Sequence, residues 1–226
     1  MKIRYTAAAL ATVLVAGTAA ATPAQAQAPG TDRKLGHKSL AKVLAADGNK
    51  FDQNWGDFDI VDKAVHLVLK NKPDSPVGVL AHGRKRVTAF LPTDKAFRKL
   101  VKQATGTAPA TEKEAYQQLK AIAAQLSPSD PVTLVENILL YHVVPGATIT
   151  YRQAKKADGA KLQTAFPGGL TIKVDVQGRK VFLKDKDPDD TNPHVIRPRN
   201  INKGNRQIAH AINLILRPAN LSAPSA

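Results

Sequence analysis

The chain has 226 residues, enough to bury one substantial core, and carries 33 Lys and Arg against 18 Asp and Glu, a formal charge of +15. It contains no cysteine. Disulfides, thiol-anchored lipid and every cysteine-based metal or nucleophilic site are therefore excluded, and packing alone must hold the fold together.

Residues 1–26 place Lys2 and Arg4 ahead of a charge-free, alanine-rich stretch from Thr6 to Ala20 that ends in Ala24-Gln25-Ala26, the small-x-small pattern cut by signal peptidases. The apolar part falls short of the roughly 20 residues a spanning helix needs, so the segment reads as a cleaved export signal. The expected mature chain starts near Gln27 with a charge of +13, has no membrane span, and ends in a small polar tail over 219–226 that we expect to be disordered. A secreted product is expected, with any envelope association made through charge. Such an excess attracts polyanions over about 8 Å in physiological salt.

Residues 27–56 are expected to form a short helical extension. In "SLAKVLAADG" Ser39 can cap a helix whose Leu40, Val43 and Leu44 share a face, and Asp47-Gly48 stops it. "FDIVDKAVHLVLKNKP" repeats the helical spacing and ends before Pro73. In "AFLPTDKAF" a strand ends at Pro92, and Thr93 or Asp94 can accept from the amides opening the next helix, which turns Phe97 inward. Thr111 and Glu114 stand in the capping-box relation ahead of another helix, and Asp130-Pro131 opens a third whose Val132, Val135, Ile138 and Leu139 share a face. His142 follows Ile138 by one turn and should point inward.

The period then changes. "LTIKVDV" alternates strictly, "QGRK" supplies a turn, and "VFLK" can return as a hairpin partner. "QIAHAINLILRP" fits both periods, but its β-branched isoleucines and the stop at Pro218 favour a strand. Helices first and strands after indicate an α+β fold, expected in one domain.

Chemical motifs are scarce. No H-x-x-x-H or H-E-x-x-H pair supports a metal site, and the acidic run Asp185, Asp187, Asp189, Asp190 lacks the glycine and glutamate of a calcium loop and reads as a solvated loop. No G-x-S-x-G or phosphate-binding glycine loop is present. We therefore expect no catalytic residue and no cofactor; a secreted hydrolase without a recognisable motif is the remaining catalytic alternative. The basic runs offer Arg84, Lys85, Arg86, Arg197, Arg199 and Arg206 as a candidate polyanion patch. With aromatics at 5%, stacking on bases is poorly supplied, so no specific nucleic acid is expected.

Three segments, "VTAFLPTDKAFRKL" (87–100), "LLYHVVPGATI" (139–149) and "IAHAINLILRP" (208–218), resemble in order and spacing the hallmark motifs of the fasciclin-like domain. The third departs from the family pattern at Gln207, Ala209 and Asn213. The resemblance covers residues 57–218 as one domain and implies a wedge-like β-sandwich with helices along one edge, used as a non-catalytic adhesion or interaction module and expected here as a monomer. Its partner would be an extracellular or cell-envelope protein or an anionic glycopolymer. It also implies a structural set of Thr93, Asp94, Phe97, His142 and His210, with a hydrogen bond between His142 and Asp94 or its backbone. Tyr141, His142, Val143 and Val144 become candidate partner-binding residues, with interior packing as their other reading.

Overall fold

The computed structural model describes residues 34–48 and 50–219, so the expected signal segment and all but one residue of the expected tail lie outside the described residues. Helix α1 (Leu40–Leu44) begins where the Ser39 hydroxyl accepts from the Lys42 amide, and the turn after it closes on Gly48 in the left-handed region. Helix α2 (Asp59–Asn71) follows, then a 3₁₀ turn over Pro76–Ala81. Strand β1 (Val87–Pro92) comes before the remaining long helices α3 (Asp94–Thr105), α4 (Glu112–Leu126) and α5 (Pro131–Tyr141). Short β2 (Val143–Pro145) and α6 (Tyr151–Ala154) lead into β3 (Lys161–Gln163), β4 (Thr171–Gln177), β5 (Lys180–Lys184) and β6 (Gln207–Ile212).

The fold is α+β, but helices and strands are less segregated than the sequence order suggests. β1 lies among the helices in sequence and at the centre of one sheet, order β2-β1-β6, antiparallel to β2 and parallel to β6. All six residues of β1 and all six of β6 are buried, as expected of strands covered on both faces. The second sheet is an antiparallel meander, β3-β4-β5, with the β4–β5 hairpin turning through Gly178 at φ 57°.

Alternation along β1 divides the interior in two. Val87, Ala89 and Leu91 pack against α1, α2 and α5, while Phe90 points the other way, into a core shared with Ile172, Val174, Val181 and Leu183 of the second sheet. That second core is the sandwich filling.

The N-terminal segment belongs to this body: Leu40 and Leu44 lie in the helical core. Gln207, fully buried, fastens it. Its Oε1 accepts from the Leu40 amide at 2.8 Å and its Nε2 donates to the carbonyls of Val79 and His82. A glycine is required at 83, because a Cβ there would sit 1.8 Å from the His37 carbonyl oxygen.

Candidate functional site

The Tyr-His segment is built from the end of α5. Asp130 accepts from the Thr133 amide, Pro131 occupies the first turn, and His142 closes the helix. Tyr141, His142, Val143 and Val144 are all buried, none more than 4% exposed. Tyr141 sits edge-on to Phe166 and its hydroxyl donates to the Thr171 carbonyl at 3.3 Å; burial, reinforced by Asp185, raises its pKa. Val143 and Val144 pair with Ala89 and Thr88 on β1, one side chain entering each core.

His142 has two backbone partners. Its Nε2 accepts from the Leu216 amide at 3.0 Å, which leaves Nδ1–H to donate to the Ile138 carbonyl at 2.7 Å. Burial pushes its pKa down to about 4, so the ring is neutral. The expected hydrogen bond to Asp94 is not formed. Asp94 instead reaches back 34 and 35 residues, its two carboxylate oxygens accepting from Ile60 and Asp59 at the start of α2. It therefore caps the earlier helix and not its own. Thr93 takes the N-cap conformation of α3 without a side-chain bond, and its carbonyl accepts from Ala96 and Phe97. Asp94 is fully buried beside Asp57 and Glu112; burial first, then Asp57, drives its pKa up to about 9.

His210 lies in the sheet next to Phe90, 6.1 Å between ring centres. Its Nδ1 accepts from Asn200 and its Nε2–H donates to the Ile149 carbonyl at 2.8 Å. His142 and His210 are thus two separate backbone ties on the same sheet.

The apolar face of α5 is only half covered. Val135, Ile138 and Leu139 line a crevice of about 170 Å³ between α2, α3, α4 and α5, with Phe97, Tyr116 and His142 also on its walls. The buried acids Asp94 and Glu112 are not among its lining residues.

Of the candidate basic patch, Arg84, Lys85, Arg86 and Arg197 are exposed, and Arg199 and Arg206 are partly buried. The structure brings Arg206 next to the run Arg84–Arg86. Arg206 donates to the Arg84 carbonyl, and the Arg206 carbonyl accepts from Val87, one residue past Arg86. Arg199 stacks over the Tyr151 ring at 4.0 Å. Thr148, three residues before Tyr151, donates its hydroxyl to the Arg206 carbonyl. Tyr151 is the anchor that the sequence did not single out: its hydroxyl donates to the Arg179 carbonyl and its amide to Asn200.

The acidic run, expected as a solvated loop, stays partly exposed at Asp185, Asp189 and Asp190, but Asp187 is buried against Arg217. Arg217 Nη1 lies 3.0 Å from Asp187 and 2.6 Å from Asp190, and its Nη2 donates to Gln103. Only the pairing of Arg217 with acids thirty residues earlier could have announced this, and no local signal carries it.

Among curated proteins no match is found. Among solved structures, the chain is similar to a FAS1 domain pair from the insect cell adhesion molecule fasciclin I, with 17% identity and a TM-score of 0.51. That likeness covers 80% of this chain and 51% of the other, so the chain spans about half the length of that domain pair. The sequence profile of the fasciclin domain matches residues 65–218, from within α2 to past β6, taking in β1, the Asp94 cap and the Tyr-His segment. The chain belongs to the fasciclin domain family.

Proposed function

We propose that the protein is a secreted, non-catalytic adhesion or interaction module, and that it engages an anionic extracellular partner through its basic strip and not through the Tyr-His segment. One observation carries this reading: Tyr141, His142, Val143 and Val144 are spent on the two cores, while Arg84, Lys85 and Arg86 stand exposed beside Arg206. Exposed guanidinium and ammonium groups along one strip suit repeated phosphate or carboxylate groups, as in an envelope glycopolymer or an acidic protein surface.

The test is binding of the protein to a phosphate-rich or carboxylate-rich glycopolymer, with a neutral polysaccharide as control. Affinity is expected to fall steeply as salt rises from about 50 to 300 mM. Replacing Arg84, Lys85 and Arg86 together by Gln should weaken binding at least tenfold with an unchanged melting temperature. Tight binding that ignores both salt and the triple substitution would refute the proposal and turn attention to the apolar crevice.

A further inference from the structure

Asp52, Asp57, Asp59, Asp94 and Glu112 converge beneath the start of α2 in a chain whose overall charge is strongly positive. One oxygen each from Asp57, Asp94 and Glu112 lies within 4.8 Å of the other two; the same holds for Asp52, Asp57 and Asp59, so Asp57 belongs to both groups. Several converging protein carboxylates suit calcium, which takes roughly six to eight oxygens in a flexible geometry, better than magnesium, which keeps several of its waters.

Glu112 supplies the second observation. It is fully buried, its Oε2 accepts from the Gln53 amide at 2.9 Å, its Oε1 has no hydrogen-bond partner, and one of its oxygens belongs to the cluster. Neither Glu112 nor Asp94 is ion-paired with a lysine, arginine or histidine among the described residues. A buried carboxylate in that position is stable only if it takes up a proton or meets a cation.

We propose that Asp57, Asp94 and Glu112, with Asp52 and Asp59 beside them, form a binding site for a hard divalent cation of calcium size. Without the ion, protons take its place: burial is the main cause holding the pKa of both Asp94 and Glu112 above the ordinary carboxylate range. With the ion, the loop before α2 is tied to the first turn of α4 and to the junction of β1 and α3. The site is a fastening of the fold and stands whatever the basic strip binds.

Terbium(III), a luminescent stand-in for calcium, tests this directly. Trp55, the single tryptophan, lies between Asp52 and Asp57 in sequence, and its carbonyl accepts from Lys95, next to Asp94, so it is placed to sensitise bound terbium. The chelator-treated full-length protein should give saturable terbium emission that calcium displaces more effectively than magnesium. Calcium at a hundredfold excess over its dissociation constant should raise the melting temperature by about 5–10 °C. Glu112→Gln, which keeps an acceptor for Gln53, should weaken terbium binding at least tenfold; Asp57→Asn serves the same purpose if that variant does not fold. Absence of saturable emission from the folded wild type overturns the proposal. So does a titration that the folded variant leaves unchanged, since the ion would then be sitting on other acids.

Discussion

Replacing His142 by Ala should destabilise the fold at neutral pH and barely matter in acid. At neutral pH the variant leaves the fully buried Leu216 amide without an acceptor, a cost of about 1–3 kcal/mol, and removes one bond to a carbonyl in the last turn of α5, about 1 kcal/mol more. A loss of about 3 kcal/mol is expected. The wild type, however, carries an imidazole whose pKa drops from its usual 6.5 to about 4 on folding. The unfolded chain therefore binds an extra proton between those values, so the stability the neutral ring supplies is complete above pH 6.5 and lost as pH falls towards 4. That loss is worth about 3 kcal/mol. Because other titrating groups act alike in both proteins, the difference between the two stability curves isolates the ring. Urea titrations followed by Trp55 fluorescence from pH 4 to 8 should show a gap of about 3 kcal/mol at pH 8 that closes near pH 4. A gap independent of pH, or one that widens in acid, would mean that the ring is not held neutral by its two backbone partners.

Arg217→Met should cost about 3–5 kcal/mol, because it leaves the buried Asp187 carboxylate without its partner, and thermal unfolding should register a fall of roughly 10 °C. For Asp94, whose pKa is raised on folding, the stability it supplies is complete below the ordinary carboxylate value and lost as pH rises towards 9. In chelator at pH 8, Asp94→Asn should therefore melt no lower than wild type and show no calcium response. Asp94→Ala, which deprives the Asp59 and Ile60 amides of their acceptor, should fall below Asp94→Asn by about 1–2 kcal/mol. Melting curves at pH 5 and 8 decide both.

Local signals were legible wherever the partner lies within a few residues. Ser39 and Asp130 cap the helices they precede, and β4 alternates as its sequence does, with Ile172 and Val174 buried and Lys173 exposed. Even here tertiary detail intrudes: the Thr111 hydroxyl accepts from Glu114 as a capping box requires, but Glu114 returns its carboxylate to Ala110 and not to Thr111. Choices that depend on distant chain were not legible. Asp94 caps α2 and not its own helix, because the loop before α2 lies against the start of α3, where the Asp94 and Lys95 amides donate to the Asp57 and Trp55 carbonyls. The sequence places Val135, Ile138 and Leu139 on one face, yet not that α4 stands off far enough to leave them half covered. Gln207, a departure from the family pattern, proved to be a three-bonded clamp, which no reading of β6 alone could reveal.

The distribution of charge links the core to the proposed surface. Asp59, Asp62, Asp94, Glu112, Glu136 and Asp187 are buried, six of the chain's 18 acids, whereas Arg217 is the one buried lysine or arginine among the described residues. The acids that would otherwise dilute the positive surface are withdrawn from it, so the face a partner meets is more basic than the formal charge implies. Withdrawal of that kind requires compensation inside, supplied by Lys72 at Glu136, by Arg217 at Asp187, and by a proton or a cation at Asp94 and Glu112. A basic exterior and a buried acidic fastening are therefore one arrangement. Calcium bound at the fastening would add positive charge without displacing any surface arginine, and should raise, not lower, the affinity of the strip for a polyanion at low salt.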